Sequence, residues 1–171
     1  MKATDTTYLR RLEKPGQPVD VVIDTDAYNQ VDDLYAIAYL LLSQDKLNLQ
    51  AILAAPFYSP PSLGRLRQNT SAKEGMEQSY QAIQDLLHIM GKDSFSSRVF
   101  RGSEASLPDE HTPVDSPAVQ ELIRLAREHS PERPLYIISI AVLTNVASAI
   151  LAAPDIVDRI VIIWLGGHSL D

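Results

Sequence analysis

An α/β fold with an open, mostly parallel sheet and flanking helices is predicted by three observations on this 171-residue sequence. Short β-branched or apolar runs alternate along the chain with segments of helical period, the spacing of βαβ units. The longest apolar runs, such as 51–55 and 160–165, have the length of buried strands and are far too short to span a bilayer. An acidic cluster directly follows the first run, at the carboxyl edge where open α/β sheets bind ligands.

Residues 1–18 are polar, carry Pro15, Gly16 and Pro18 near their end, and read as an N-terminal arm. Residues 19–171 read as the α/β domain. Val21, Val22 and Ile23 give the first strand, 19–25, which stops at the acids. From Asp32 the period changes, with Leu34, Ile37, Ala38, Leu41 and Leu42 on one helical face and Ser43-Gln44-Asp45 as the stop. Residues 47–55 form a second strand ended by Pro56. A loop over 56–70 follows, with Pro60, Pro61 and Gly64.

Ser71 and Glu74 have capping-box spacing. The helix they open carries Met76, Tyr80, Ile83, Leu87 and Met90 as a packing stripe and closes at Gly91. Val99-Phe100 is a short strand, and 101–115 a polar loop. Ser116-Pro117 reads as an N-cap followed by Pro at the first helical position, above Val119, Leu122, Ile123 and Ala126. Strand 135–140, helix 144–151 and strand 159–165 complete the series. Trp164, inside the last apolar run, reads as core. No helical segment follows that strand, so the sheet reads as truncated at its C-terminal end.

Composition narrows the function classes. With 45% apolar and 22% charged residues the chain is not disordered as a whole. Fifteen Lys+Arg against 22 Asp+Glu leave a formal charge of −7, which argues against a nucleic-acid backbone or an anionic membrane as partner. The absence of Cys excludes disulfide scaffolds, zinc ribbons and thiol nucleophiles. No signal-peptide pattern occurs in the N-terminal stretch, so a cytoplasmic protein is the expectation.

The most informative stretch is Val21-Val-Ile-Asp24-Thr-Asp26-Ala-Tyr-Asn29-Gln-Val-Asp32-Asp33. Four carboxylates fall within ten positions, beside a strand end. The dipole of the following helix favours negative charge by only about 0.3–1 kcal/mol per group. That is too little to hold four converging carboxylates ionised. Either several are protonated or splayed into water, or a cation is bound. Oxygen ligands without Cys suit a hard cation, Ca²⁺ or Mg²⁺. An EF-hand is excluded, because Asn29 and Tyr35 stand where its loop, counted from Asp24, needs Gly and Glu. The blander alternative is that Asp32 or Asp33 caps the helix while the others solvate a turn.

Strand, Asp-x-Asp, short loop, Asp-Asp, helix resembles the signature of the inosine/uridine-preferring nucleoside hydrolases, in the branch with a longer loop between the second and third Asp. Ile140-Ala-Val-Leu-Thr-Asn145-Val-Ala is similar to that family's Gly-x-Leu-Thr-Asn-x-Ala block, and Val161-Ile-Ile-Trp-Leu-Gly166-Gly167 to its strand ending in Gly-Gly. The resemblance runs from about Val19 to His168 and covers roughly the first half of the family's usual length.

The resemblance implies a Rossmann-like fold and metal-dependent hydrolysis of the N-glycosidic bond of ribonucleosides, giving base and ribose. It implies Ca²⁺, ahead of Mg²⁺, and a nucleoside as small-molecule partner. By position, Asp26 would be metal ligand and general base, and Asp33 a metal ligand. The backbone carbonyl of Ile140 would be a third ligand. Asp32 would bind the ribose hydroxyls and Asp24 would orient the loop. Independently of the resemblance, Asn145 reads as the anchor of the strand-to-helix turn, a common role of Asn, rather than as a ligand contact.

The sequence departs from the family at Ala54-Ala55-Pro56-Phe57, where better-known members carry a ribose-binding Asn, and Asn29 is the substitute candidate. Ala141-Val142 replaces a Gly-rich approach and brings two Cβ atoms toward the site. His168 follows Gly-Gly at a strand end, either facing the site or closing the chain. His88, His111 and His129 read as structural or solvated, and Arg65, Arg67 and Arg101 are too scattered for a phosphate clamp. With no acid for the leaving group visible, the chain alone is expected to be weakly active or inactive.

Two other readings stay open. Asp-x-Asp after a first strand also suits a Mg²⁺-dependent phosphohydrolase of the haloacid dehalogenase type, with Asp24 as nucleophile. The short length suits a non-catalytic remnant that binds cation or sugar. The uncovered strand 159–165 leaves homo-oligomerisation open.

Overall fold

The computed structural model describes residues 4–64 and 68–166. Its centre is a five-stranded sheet, parallel throughout, in the order β3-β2-β1-β4-β5. The strands are β1 (Val19–Thr25), β2 (Leu47–Ala54), β3 (Val99–Arg101), β4 (Leu135–Ser139) and β5 (Ile160–Trp164). The long helices are α2 (Asp32–Leu42), α3 (Ala72–Ile89), α4 (Pro117–Arg127) and α5 (Thr144–Ala152), and a short α1 (Asp5–Arg11) precedes them. No helix among the described residues is long and apolar enough to cross a membrane.

Two cores sandwich the sheet. Val21, Ile23 and Ile52 pack with Ile37, Leu41, Met76, Ile83 and Leu87 under α2 and α3. Val22, Leu53 and Ile137 pack with Leu122, Ala126, Val146 and Ala149 under α4 and α5. Side chains along a strand alternate between faces. β1 therefore sends Val22 and Asp24 toward α5, and Ile23 and Thr25 toward α2. That alternation positions the site.

Helix ends follow local chemistry. Ser71 Oγ accepts the Glu74 N–H at 3.1 Å, and Ser116 Oγ accepts the Val119 N–H at 3.2 Å. The capping box is only half closed. Glu74 turns its carboxylate to Thr70, whose N–H and hydroxyl donate at 2.7 and 2.6 Å. Gly91 ends α3 with φ of 64°, the left-handed conformation that glycine adopts without Cβ strain.

The arm is anchored rather than loose. Arg11, at the end of α1, donates to the carbonyls of Ile160, Pro131 and Asp158 at 3.3, 3.0 and 2.5 Å, and the Tyr8 hydroxyl donates to Asp158 at 2.8 Å. A groove of about 280 Å³ between arm and sheet is lined by Arg11, Asp20, His129 and Tyr136 at the amino edge, opposite the acids.

One expectation is corrected. Trp164 is not core, being 47% exposed, with Ile162 and Ile163 beside it also exposed. β5 is an edge strand, paired among the described residues with β4 alone, so its neighbours do not enclose it.

Candidate functional site

The carboxyl ends of β1 and β4 meet where the acids lie. The carbonyl of Asp24 accepts the Ile140 N–H at 2.9 Å, which continues the β1–β4 pairing past the last strand residue. The Ile140 backbone is thereby fixed beside the acidic segment. Ala55 N–H donates to the Thr25 carbonyl at 2.8 Å and holds β2 against the same edge.

Asp24 is fully buried, on the α5 side of β1. Its carboxylate accepts the Ser139 hydroxyl at 3.0 Å and the Asn145 amide at 2.8 Å. Burial pushes its carboxyl up to about 6, against the opposing pull of those two hydrogen bonds. A carboxylate so enclosed cannot attack a substrate, which removes it as the nucleophile of a phosphohydrolase.

Asp26, the first residue past β1, is 7% exposed. The chain turns here, with the Asn29 N–H on the Asp26 carbonyl at 2.7 Å and the Asn29 amide on the Asp26 carboxylate at 2.8 Å. Burial pushes the Asp26 carboxyl up to about 7, with the negative charges of Asp33 and Asp24 adding to it and the Asn29 bond opposing. Asn29 thus serves Asp26 directly.

Asp33 is 5% exposed, in the first turn of α2, and its carboxylate accepts the Thr25 hydroxyl. Its carboxyl is raised by burial, with the charge of Asp32 adding to the effect. Asp32 itself is exposed. Neither Asp caps α2, whose N-cap position is Val31 and has no side-chain cap bond.

The sequence-derived residues therefore fall into three settings. Asp26 and Asp33 are buried, the charge of Asp33 helping to raise the Asp26 carboxyl, Asp32 faces solvent, and Asp24 lies on the α5 side of β1, tied to Asn145. None of the ion pairs among the described residues involves Asp24, Asp26 or Asp33. Uncompensated buried carboxylates are costly. Asp26 and Asp33 offer oxygen donors only, the donor chemistry a hard cation takes. No group of three or more His, Asp or Glu suited to a metal occurs among the described residues, so carbonyl oxygens would have to complete any coordination.

The remaining departures are also located. Ala54, Ala55 and Phe57 are buried wall, and the Ala54 carbonyl faces the Asn145 amide at 3.4 Å. Val142 is exposed, and the Ala141 carbonyl accepts the Trp164 indole N–H at 3.0 Å. Gly167, His168, Arg65 and Arg67 lie outside the described residues. The other histidines have partners elsewhere: His88 with Asp93, His111 with Glu110, and His129 with Leu125 and Asp20.

Sequence reasoning missed Thr25, Ser139, Gly102 and Ser103. A lone Ser closing the apolar run Leu135–Ser139 was a readable signal for a buried polar contact. Gly102-Ser103, in a polar loop, offered none.

The fold and these acids define an open parallel α/β protein with a carboxylate-lined sheet edge. Solved structures narrow the class. The chain matches a plant nucleoside hydrolase, PpNRh1, with a TM-score of 0.59 and 24% identity, over 88% of this chain and 48% of that one. It matches the purine-preferring ribonucleoside hydrolase from Gardnerella vaginalis with a TM-score of 0.64 and 21% identity, over 87% and 49%. It matches the type III effector protein XopQ, solved with adenosine diphosphate ribose, with a TM-score of 0.59 and 19% identity, over 98% and 50%. The chain shares the fold of these three structures, two of them nucleoside hydrolases, and spans about half the length of each. No protein-family model and no curated protein sequence matches it.

Proposed function

We propose that this chain carries the carboxylate half of a Ca²⁺-dependent nucleoside hydrolase site and acts on the N-glycosidic bond of ribonucleosides. The observation that carries the reading is the set of buried acids, Asp24, Asp26 and Asp33, with no cationic partner among the described residues, at the sheet edge of a nucleoside hydrolase fold.

Asp26, Asp33 and the Ile140 carbonyl would hold the cation. Ca²⁺, when bound, supplies positive charge that offsets the buried carboxylates and acidifies a water. Asp26 is the base that removes a proton from the attacking water, while Asn29 holds its carboxylate in place. The water oxygen bonds to the anomeric carbon as the bond to the base nitrogen breaks, and the base departs with that electron pair. Asp32, exposed and beside Asp33, accepts hydrogen bonds from the ribose hydroxyls. The surrounding negative charge favours the oxocarbenium-like transition state. No described histidine bonds to the acidic segment, so protonation of the leaving base lacks a catalyst among these residues and turnover is slow.

The test is calorimetric titration with Ca²⁺, followed by p-nitrophenol release from p-nitrophenyl riboside. Saturable calcium binding with slow release that Asp26→Ala abolishes supports the reading. Calcium binding without any release favours a non-catalytic remnant. The absence of both binding and release overturns it.

A further inference from the structure

Ser103 lies in the loop after β3, fully buried and 42 residues from its partner Asn145. Its N–H donates to Asn145 Oδ1 at 2.8 Å and its hydroxyl to the same oxygen at 2.9 Å. A backbone N–H can only donate, so the atom it faces must be the amide oxygen. The other end of the Asn145 amide is then its NH₂, which donates to Asp24 Oδ1 at 2.8 Å. The backbone N–H at position 103 thus sets which way Asn145 points, and the Ser103 hydroxyl adds a second bond that holds the same oxygen.

The approach needs a residue without a side chain next door. A Cβ on Gly102 would lie 2.0 Å from the Ala54 carbonyl oxygen and 2.5 Å from the Asn145 amide nitrogen. Gly102 lets the loop close onto Asn145. Beyond Asn145 the network reaches Asp24, whose carboxylate also takes the Ser139 hydroxyl and whose carbonyl takes the Ile140 N–H at 2.9 Å. The chain of bonds links the β3 loop, the first turn of α5, and the ends of β1 and β4.

We infer that Ser103 is a positioning residue: through Asn145 it fixes Asp24, and so holds the Asp26–Asp33 segment and the Ile140 carbonyl in mutual register. The inference rests on the hydrolase reading for what that register serves. The network itself is independent of it.

The test compares Ser103→Ala with Ser79→Ala. Both remove a buried serine hydroxyl, but Ser79 bonds the Gly75 carbonyl inside α3, away from the acids. In calcium-free protein, amide exchange at Ile140 is expected to rise about three- to tenfold in Ser103→Ala, the effect of one lost hydrogen bond, with Ile23 and Ile52 unchanged. Calcium affinity should fall by a similar factor, and Ser79→Ala should alter neither. Unchanged exchange at Ile140 overturns the inference, as does an unaltered calcium affinity in Ser103→Ala when the wild type binds. A wild type that takes up no calcium overturns the hydrolase reading and leaves the exchange result to decide this one.

Discussion

The carbonyl of Asp24 and the N–H of Ile140 are joined at 2.9 Å, one step beyond the end of β4. Through this bond the fully buried Asp24 serves as a strut between two loops. Replacing it with Ala leaves the Ser139 hydroxyl without this acceptor and the Asn145 NH₂ with only the long 3.4 Å contact to the Ala54 carbonyl. Each buried polar group left unpaired costs about 1–3 kcal/mol. Asp24→Ala is therefore expected to lower the urea midpoint markedly at an unchanged slope, whereas Asp32→Ala, at an exposed position, should leave it in place.

Stability of the calcium-free chain should fall as pH rises toward neutrality. The folded-state carboxyls of Asp24 and Asp26 stand at about 6 and about 7, and that of Asp33 is also raised, all above the ordinary 3.8. Between those values the folded chain binds more protons than the unfolded one, so their contribution is fullest at acid pH and lost across about pH 4 to 7. For Asp24 alone the displacement corresponds to a loss on the order of 3 kcal/mol. The exposed Asp93, Asp109 and Asp155 are lowered by their hydrogen-bonding partners and act in the opposite sense below their ordinary range, so the comparison belongs above about pH 5. Urea midpoints in chelator should decline from about pH 5 to about pH 7.5. Asp24→Asn should flatten part of the slope, and a midpoint that rises over that interval contradicts the assignment.

Much of this arrangement was legible in the residues. The β-branched run ending at Asp24 set β1, and the change of period at Asp32 set α2, because local propensity and burial agree there. Ser71 and Ser116 announced their helices, since an N-cap needs only its own side chain and a backbone three residues away. Trp164 misled because an apolar run shows that a strand can be buried, while what lies beside it depends on sheet order. The Ser103–Asn145–Asp24 network was illegible for a similar reason. Its members stand 42 and 121 residues apart, and no local pattern marks a serine that folding brings under a distant asparagine.

Arg11→Ala is expected to free the arm. The guanidinium bridges three carbonyls on the segments flanking β4 and β5, and an alanine would leave them to water. Hydrogen bonds from a charged donor contribute about 1.5–3 kcal/mol, less where solvent reaches them, as at this half-buried site. Trypsin cleavage after Arg10 should accelerate in the variant, with a modest drop in the thermal midpoint. Equal cleavage rates in wild type and variant would mean that the anchor contributes nothing in solution.

The β5 edge should make the chain self-associate. Ile162, Ile163 and Trp164 of β5 and Leu165 after it are exposed together, and among the described residues β5 pairs with β4 alone, an edge that is a template for pairing. Trp164 is the only tryptophan, so its emission reports on this patch alone. In dilute protein it should emit at long wavelength and be open to acrylamide quenching, as a half-exposed indole is. Raising the concentration should shift emission to shorter wavelength as sedimentation shows larger species. Burying an isoleucine side chain is worth about 1.5–3 kcal/mol. Ile163→Lys should therefore weaken association by roughly tenfold or more while leaving the far-ultraviolet spectrum intact. A wild-type chain that stays monomeric, with Trp164 quenched alike at every concentration, would show that the exposed edge is tolerated without a partner.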